Sequence, residues 1–507
     1  MALKMSTLRR NILYNVGGQG LLMLLGLVAV RLVFRQLGAD AFGIILFAQS
    51  MGLVLASVLE LGISSTTVRE VAAHAREESG YVWDLLRTAT SIYWGAYVVV
   101  VGAAILGAGW LATHWLTLQS VDARDAARLM QILAVGVLLV LPRSLYGSLF
   151  RGLQRMQVTN AVEVGALTLQ LLGTIAILTL HGDAFAVAWC LTAGYAASIV
   201  AYLLLAHRAG IPARALVPGF EPAIVRRNLR FALHMMSISA LGTVHGQMDK
   251  LLVSKLMPVG ALATYGFAST MVAGVLRLVS SIVQAAFPAF SELARQHDDA
   301  TLLRRYHRVH ALIIFGAAPL FAGVVFGAEP ILRYVFNGDV AQALMLPTVL
   351  LCVGSYLNAS VSALYVVSLA VGRPDIAARQ NALALIVVPP IAVLSVWRFG
   401  LAGAGASWVF YHLFAYAYGV PRMCRECLGL SPRLWILGVA RIMAVTVISY
   451  GPAYWLATAL GGSVVVLAVV FVLGSLVYVG AGYLLLGREL RVAASQLRTG
   501  AAQPEAA

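Results

Sequence analysis

About fourteen apolar stretches, each long enough to cross a bilayer, fill this chain almost end to end, and the short loops between them are basic on alternate sides. A chain with that pattern reads as an all-α polytopic membrane protein. With the amino terminus in the cytoplasm, the spans run approximately over residues 12–34, 42–66, 86–111, 129–150, 159–180, 184–206, 231–257, 260–287, 309–328, 344–369, 379–397, 401–420, 434–457 and 463–486. Both termini then face the cytoplasm.

The basic residues support that orientation. Of the 36 Lys and Arg, 27 fall at cytoplasmic ends and loops, most densely over Arg208 to Arg230, Arg295 to Arg308 and Arg422 to Arg441. Eight fall outside, among them Arg31, Arg35, Lys250 and Lys255, and one, Arg277, lies within a span. The net charge of +15 is therefore mainly a topology signal. It does not point to nucleic acid, which would want the charge gathered on one soluble face.

At 60% hydrophobic and 11% charged residues, the chain has no room for a sizeable soluble domain; the longest hydrophilic stretches run from Arg69 to Arg87 and from Arg208 to Arg230. Function must sit in the membrane or at its rim. The first span is too long for a leader's apolar core and is expected to act as its own insertion signal. Four cysteines do not form a disulfide framework, and Cys424-x-x-Cys427 lacks the second ligand pair that a metal site would need. No cofactor is expected.

The chain repeats itself. Arg9-Arg10-Asn11-Ile12 before the first span matches Arg226-Arg227-Asn228-Leu229 before the seventh, and Phe47-Ala48-Gln49-Ser50-Met51 matches Phe267-Ala268-Ser269-Thr270-Met271. The offset moves only from 217 to 220 residues. The reading is a six-helix bundle over residues 1–215, a second over 220–425, two additional helices over 430–490 and a cytoplasmic tail over 491–507. Six being even, the repeat is parallel, about an axis along the membrane normal, and encloses a central cavity.

Polar residues at helical spacing inside apolar spans mark where such a cavity could have its wall. Thr270, Gly274, Arg277, Ser281, Gln284 and Pro288 share one face of the eighth span. Arg277 is the sharpest of them: an Arg deep in a membrane helix costs about 2.5–3.5 kcal/mol on insertion scales, so it calls for water, a counter-ion or an anionic ligand, with a structural ion pair or snorkelling toward the cytoplasmic interface as the alternative. Arg143, following Pro142 in the fourth span, is a second cation of this kind, with an interfacial anchor as the alternative.

In the seventh span His245 and Asp249 stack four apart, Lys250 follows, and Asp249 lies about 27 Å from the helix start. These residues, with Glu60 and Arg31, are candidates for gating or ion coupling; pairing of Asp249 with Lys250, Arg31 or Arg35 is the structural alternative. A metal between His234 and His245 lacks a third ligand. Gln49, Ser57, Glu60 and Ser64 line one face of the second span and Ser355, Asn358, Ser362 and Tyr365 one face of the tenth, while Asn15 and Gln19 could face the cavity from the first. Stripes of this sort also arise from hydrogen bonds that pack helices together.

At these residues the chain resembles the polysaccharide-exporter branch of the multidrug/oligosaccharidyl-lipid/polysaccharide (MOP) superfamily, the O-antigen-flippase-like proteins. The resemblance lies in Leu37-Gly38-Ala39-Asp40-Ala41-Phe42-Gly43, Leu59-Glu60-Leu61-Gly62-Ile63, Val68-Arg69-Glu70, Arg151-Gly152-Leu153-Gln154-Arg155-Met156, Asp249, Tyr265-Gly266-Phe267-Ala268 and Phe287-Pro288-Ala289-Phe290. It spans roughly the first 300 residues by motif and the remainder by hydropathy.

The resemblance implies a fold like that of the superfamily's drug transporters and a flippase that moves a polyprenyl-diphosphate-linked oligosaccharide to the periplasmic leaflet of the bacterial inner membrane. Membrane lipid and, in assembly, a polymerase would be its partners. Such a protein needs a polar, cationic cavity open alternately to each side; Arg277, Arg143, Gln284, Asn358, Tyr365, Asn15 and Gln19 are the candidate lining. No Walker motif is present to use ATP directly. A drug antiporter would favour an acidic cavity, and a glycosyltransferase or polymerase a large catalytic loop, which is absent. A lipid II flippase is the nearest alternative of the same class.

Overall fold

The computed structural model describes the backbone of residues 2–74 and 79–485, and their side chains except at 2–21, 79, 234, 235, 237, 238, 285, 288 and 485. Over these described residues the chain is helical almost throughout, with no sheet. Its helices are α1 (Ala2–Leu59), α2 (Ile63–His74), α3 (Ser79–Trp110), α4 (Ala123–Val137), α5 (Val140–Gly152), α6 (Met156–Thr179), α7 (Ala184–Arg208), the single turn α8 (Ala213–Leu216), α9 (Pro222–Leu256), α10 (Val259–Arg295), α11 (Asp299–Val335), α12 (Gly338–Ala370), α13 (Pro374–Leu428), α14 (Pro432–Ala459) and α15 (Val464–Leu485). A multi-pass membrane protein follows from their length and composition.

The described residues hold 11 helices long and apolar enough to cross a membrane, so the count of fourteen is not established. Glycine accounts for part of the difference. Gly38 (φ 84°) turns the chain inside α1 and Gly400 (φ 56°) inside α13, so that each long helix covers two of the expected spans. Both angles lie where a side chain would clash with the backbone and glycine does not. The seventh expected span is α9, in which His245, Gln247, Asp249 and Lys250 dilute the apolar run; it is not among the eleven.

Two expected spans are interrupted. The second ends at Leu59, where Leu61 (φ 48°) and Gly62 (φ 66°) turn the chain into the short α2. The fourth breaks at Leu138 and Leu139 into α4 and α5, just before Pro142, whose missing N–H cannot continue the ladder. The starts of α7, α11 and α12 are capped by side chains: Asp183, Asp298 and Asn337 accept from the backbone N–H of Ala186, Thr301 and Val340 at 2.8, 3.0 and 2.9 Å.

The chain divides into two compact units, one ending at Thr264 and the other beginning at Tyr265. In the first, Val71, Leu86, Tyr93, Leu145, Leu149, Phe150 and Tyr202 form a continuous core joining α2, α3, α5 and α7, and α9 packs along α1. In the second, α12 packs against α11 and α13, and the final pair docks on α11. There the Tyr478 hydroxyl donates to the Phe315 carbonyl at 3.0 Å and Gly482 lies against the Phe315 ring. Val464, Val465, Val472, Leu476 and Leu484 remain exposed, as a lipid-facing helix requires.

Candidate functional site

Helix α10 has two opposite faces. Ala268, Val272, Val275, Val279 and Val283 form a buried ridge, and diametrically across from it Thr270, Gly274, Arg277, Ser281 and Gln284 are all exposed. The 3.6-residue period produces this separation directly. Thr270 and Ser281 donate to the carbonyls of Gly266 and Arg277, four residues earlier, at 2.8 and 2.9 Å, so their hydroxyls are satisfied within the helix. A β-carbon on Gly274 would meet nothing within 4 Å. The stripe is thus an exposed polar face with one cation at its middle; Pro288 lies outside the described side chains.

Arg277 has no carboxylate partner among the described residues. A guanidinium on the exposed face of a membrane helix is too costly to leave in hydrocarbon, so water or an anion must meet it. Arg143 stands differently. Its Nη2 lies 3.8 Å from Glu163 Oε1 and its guanidinium 6.0 Å from the centre of the Tyr195 ring, so its charge already faces a carboxylate and an aromatic surface.

The other candidates are distributed over both units. Asn358 and Tyr365 are half-buried on α12, and no hydrogen bond joins them to the α10 stripe among the described residues; Ser355 in the same row accepts from Trp408 Nε1 at 3.2 Å, a packing bond to α13. In the first unit Asp249 is buried, accepts from the Lys250 backbone N–H at 2.8 Å and pairs with Lys250 Nζ at 3.8 Å. His245 is buried one turn away on α9. Glu60 is half-buried in the turn after α1, and Arg31 is half-buried within α1. Asn15, Gln19 and His234 lie outside the described side chains.

Two arrangements escaped the sequence. Asp40, in the Gly38-to-Gly43 motif, is buried and accepts from the backbone N–H groups of Gln119 and Ser120 at 2.6 and 2.7 Å, fixing the loop after α3 onto the kink of α1. Glu70 is buried where α2, α3 and α9 meet. It accepts from Arg69 Nε at 2.8 Å and from the Tyr81 hydroxyl at 2.9 Å, and His74 Nδ1 lies 3.4 Å away. Burial pushes the Glu70 carboxyl up, but these bonds and the charges of Arg69 and His74 outweigh it and hold the group below the usual glutamate range. The two motifs Arg69-Glu70 and Arg227-Asn228 were visible as words; that they touch was not.

No group of three or more His, Cys, Asp or Glu gathers among the described residues to hold a metal ion, and Cys424 and Cys427 are free thiols at the end of α13.

The fold and the described residues define a multi-pass helical membrane protein with polar residues on an exposed face of α10. The family model of polysaccharide biosynthesis proteins matches residues 8–294, and the chain belongs to that family. It is 20% identical over 411 residues to a Shigella flexneri protein named "Putative O-antigen transporter", covering 79% of this chain and 93% of that one. In structure it resembles the lipid II flippase MurJ in an inward closed conformation, with a TM-score of 0.71 at 12% identity over 94% of this chain and 100% of that one. It also resembles an inward-facing multidrug resistance transporter of the MATE family, in the MOP superfamily, with a TM-score of 0.63 at 15% identity over 83% of this chain and 96% of the other.

Proposed function

We propose that this protein is a flippase for a polyprenyl-diphosphate-linked oligosaccharide, carrying it from the cytoplasmic to the periplasmic leaflet of a bacterial inner membrane for cell-surface polysaccharide synthesis. The observation that carries the reading is Arg277, an exposed cation in a polar stripe on the side of α10 opposite its buried ridge. A diphosphate and a sugar need a polar, cationic surface while the isoprenoid tail stays in lipid. The α10 stripe supplies the first and the apolar outer faces of the helices permit the second. Membership in a polysaccharide biosynthesis family favours a saccharide over a drug cation.

Transport would proceed by exposing the α10 stripe alternately to the two sides, with Asp249, Lys250, His245, Glu60 and Arg31 as candidates for gating or ion coupling. The six-helix repeat over residues 1–215 and 220–425 belongs to the same proposal, supported by the recurrence of Arg-Arg-Asn at residues 9–11 and 226–228. Both termini are cytoplasmic in it.

The test is leaflet exchange by the purified protein in liposomes, with a fluorescent diphosphate-linked oligosaccharide lipid, lipid II and a cationic dye offered separately. Exchange of the oligosaccharide lipid alone is the expected result. Movement of the dye without either lipid would overturn the reading in favour of an antiporter, and movement of lipid II alone in favour of a cell-wall precursor flippase.

A further inference from the structure

Within the first unit an open crevice of about 420 Å³ lies between α1 and α3, floored by α4, which packs against both. Every residue lining it is apolar: Met51 and Leu55 belong to α1, Ala104, Ala108 and Leu111 to α3 and the turn that follows it, and Met130 marks its start on α4. Along α4 it runs from Met130 to Leu138, about 12 Å by helical rise. That is close to the depth of one leaflet, since the hydrocarbon core of a bilayer is about 30 Å thick. Left empty, the walls of such a slot forfeit the contacts that a hydrocarbon chain would return to them.

At one end the crevice meets a cation. The row Ala104, Ala108, Leu111 continues at the same spacing to Trp115, through a π-helical turn (Leu111–Trp115) that closes with the Leu116 N–H donating to the Leu111 carbonyl at 3.0 Å. Trp115 Nε1 donates to Ser254 Oγ at 3.1 Å, which fixes the ring, and Lys255 Nζ stands 5.4 Å from the ring centre. Lys255 is exposed, and its bond to the His114 carbonyl at 2.6 Å uses one of its three N–H donors. No carboxylate pairs with it among the described residues. Trp110, exposed and stacked on His114, precedes this turn, and the polar residues Thr117, Gln119 and Ser120 follow it. Aromatic rings between an apolar run and a polar loop mark the boundary of membrane and water.

We propose that this crevice holds one acyl chain of an anionic phospholipid whose phosphate meets Lys255 beside Trp115. An apolar slot one leaflet deep, with a cation at its boundary end, reproduces the order of such a lipid, chain first and phosphate after it. The charge of Lys255 selects an anionic headgroup over a zwitterionic one. A polyprenyl tail, longer and methyl-branched along its whole length, exceeds a slot of about 12 Å. The bound chain completes the packing of α1 and α3 over α4 and is a structural ligand of the first unit, independent of what the protein transports.

The test is photolabelling of the full chain in vesicles of phosphatidylglycerol and phosphatidylcholine, with a trace of phosphatidylglycerol that carries a diazirine on one acyl chain. Label should appear at Met51, Leu55 or Leu111 in the crevice and at Leu106, which is 87% exposed. After the protein is washed in detergent and then illuminated, only the crevice label should persist. Ala104→Phe, which fills the crevice, should remove that label and spare Leu106. Lys255→Gln, which leaves the walls intact, should lower it by about fivefold, the factor that one Lys near anionic lipid is worth, and Lys255→Arg should retain it. Thermal unfolding in detergent verifies that each variant is folded. Label at Leu106 without label in the crevice, or undiminished crevice label in folded Lys255→Gln, would overturn the proposal. So would a diazirine-bearing polyprenyl phosphate that labels the crevice in preference to the phospholipid, which would give the slot to a polyprenyl tail.

Discussion

Gly43 in α1 faces the carbonyl of Val259 at the start of α10 so closely that no β-carbon could occupy the space between them. This one approach brings the end of the Gly38-to-Gly43 motif against the junction of α9 and α10, more than two hundred residues later. Gly43→Ala should force the backbones apart at a cost of about 1–3 kcal/mol, as overpacking usually does. Gly26→Ala, in the same helix but with nothing within 4 Å of the added carbon, should be neutral or slightly stabilising. Thermal unfolding of the two variants in detergent measures the contrast; equal losses would deny the contact.

Glu70 predicts a pH dependence. Its carboxyl is held below the ordinary glutamate value, so the stability it contributes is present above that value, about 4.3, and is lost as pH falls through the lowered value of the folded state. Arg69 and His74 on α2, Tyr81 on α3, and Asn228, with Arg227 over the Tyr81 ring, on α9 are the groups around it. Melting temperature should fall less steeply as pH is lowered from 5 to 3 for Glu70→Gln than for the unaltered chain. Parallel curves would show that Glu70 does not titrate there.

The positive-inside pattern predicts topology. A periplasmic phosphatase fused after Leu216 or Gly500 should be inactive, and one fused after Leu118 active. The reverse pattern would invert the orientation.

The sequence revealed the class of fold because apolar length is a property of single segments, and the described residues hold 11 helices long and apolar enough to cross a membrane. It misjudged continuity in both directions where glycine and proline act locally: Gly38 and Gly400 only bend the chain where hydropathy reads gaps, and Leu61, Gly62 and Pro142 break what it treats as spans. The α10 stripe was legible because one helical period carries it. The cluster around Glu70 was not, since Glu70, Tyr81 and Asn228 come from three elements and only the fold brings them together. Arg143 illustrates the same limit. Its spacing resembled that of Arg277, but Glu163 on the neighbouring helix α6 stands beside one and no described carboxylate beside the other.

The central claim is that Arg277 meets an anionic group of a lipid-linked sugar, and the rate of oligosaccharide-lipid flipping by purified variants in liposomes, per folded protein, tests it most directly. Arg277→Lys should keep part of the rate, because the charge is retained although the guanidinium fork is lost, and Arg277→Ala should lose nearly all of it. Arg143→Ala, whose charge already faces Glu163, should lose far less. A well-folded Arg277→Ala protein that flips the lipid at the unaltered rate would contradict the account.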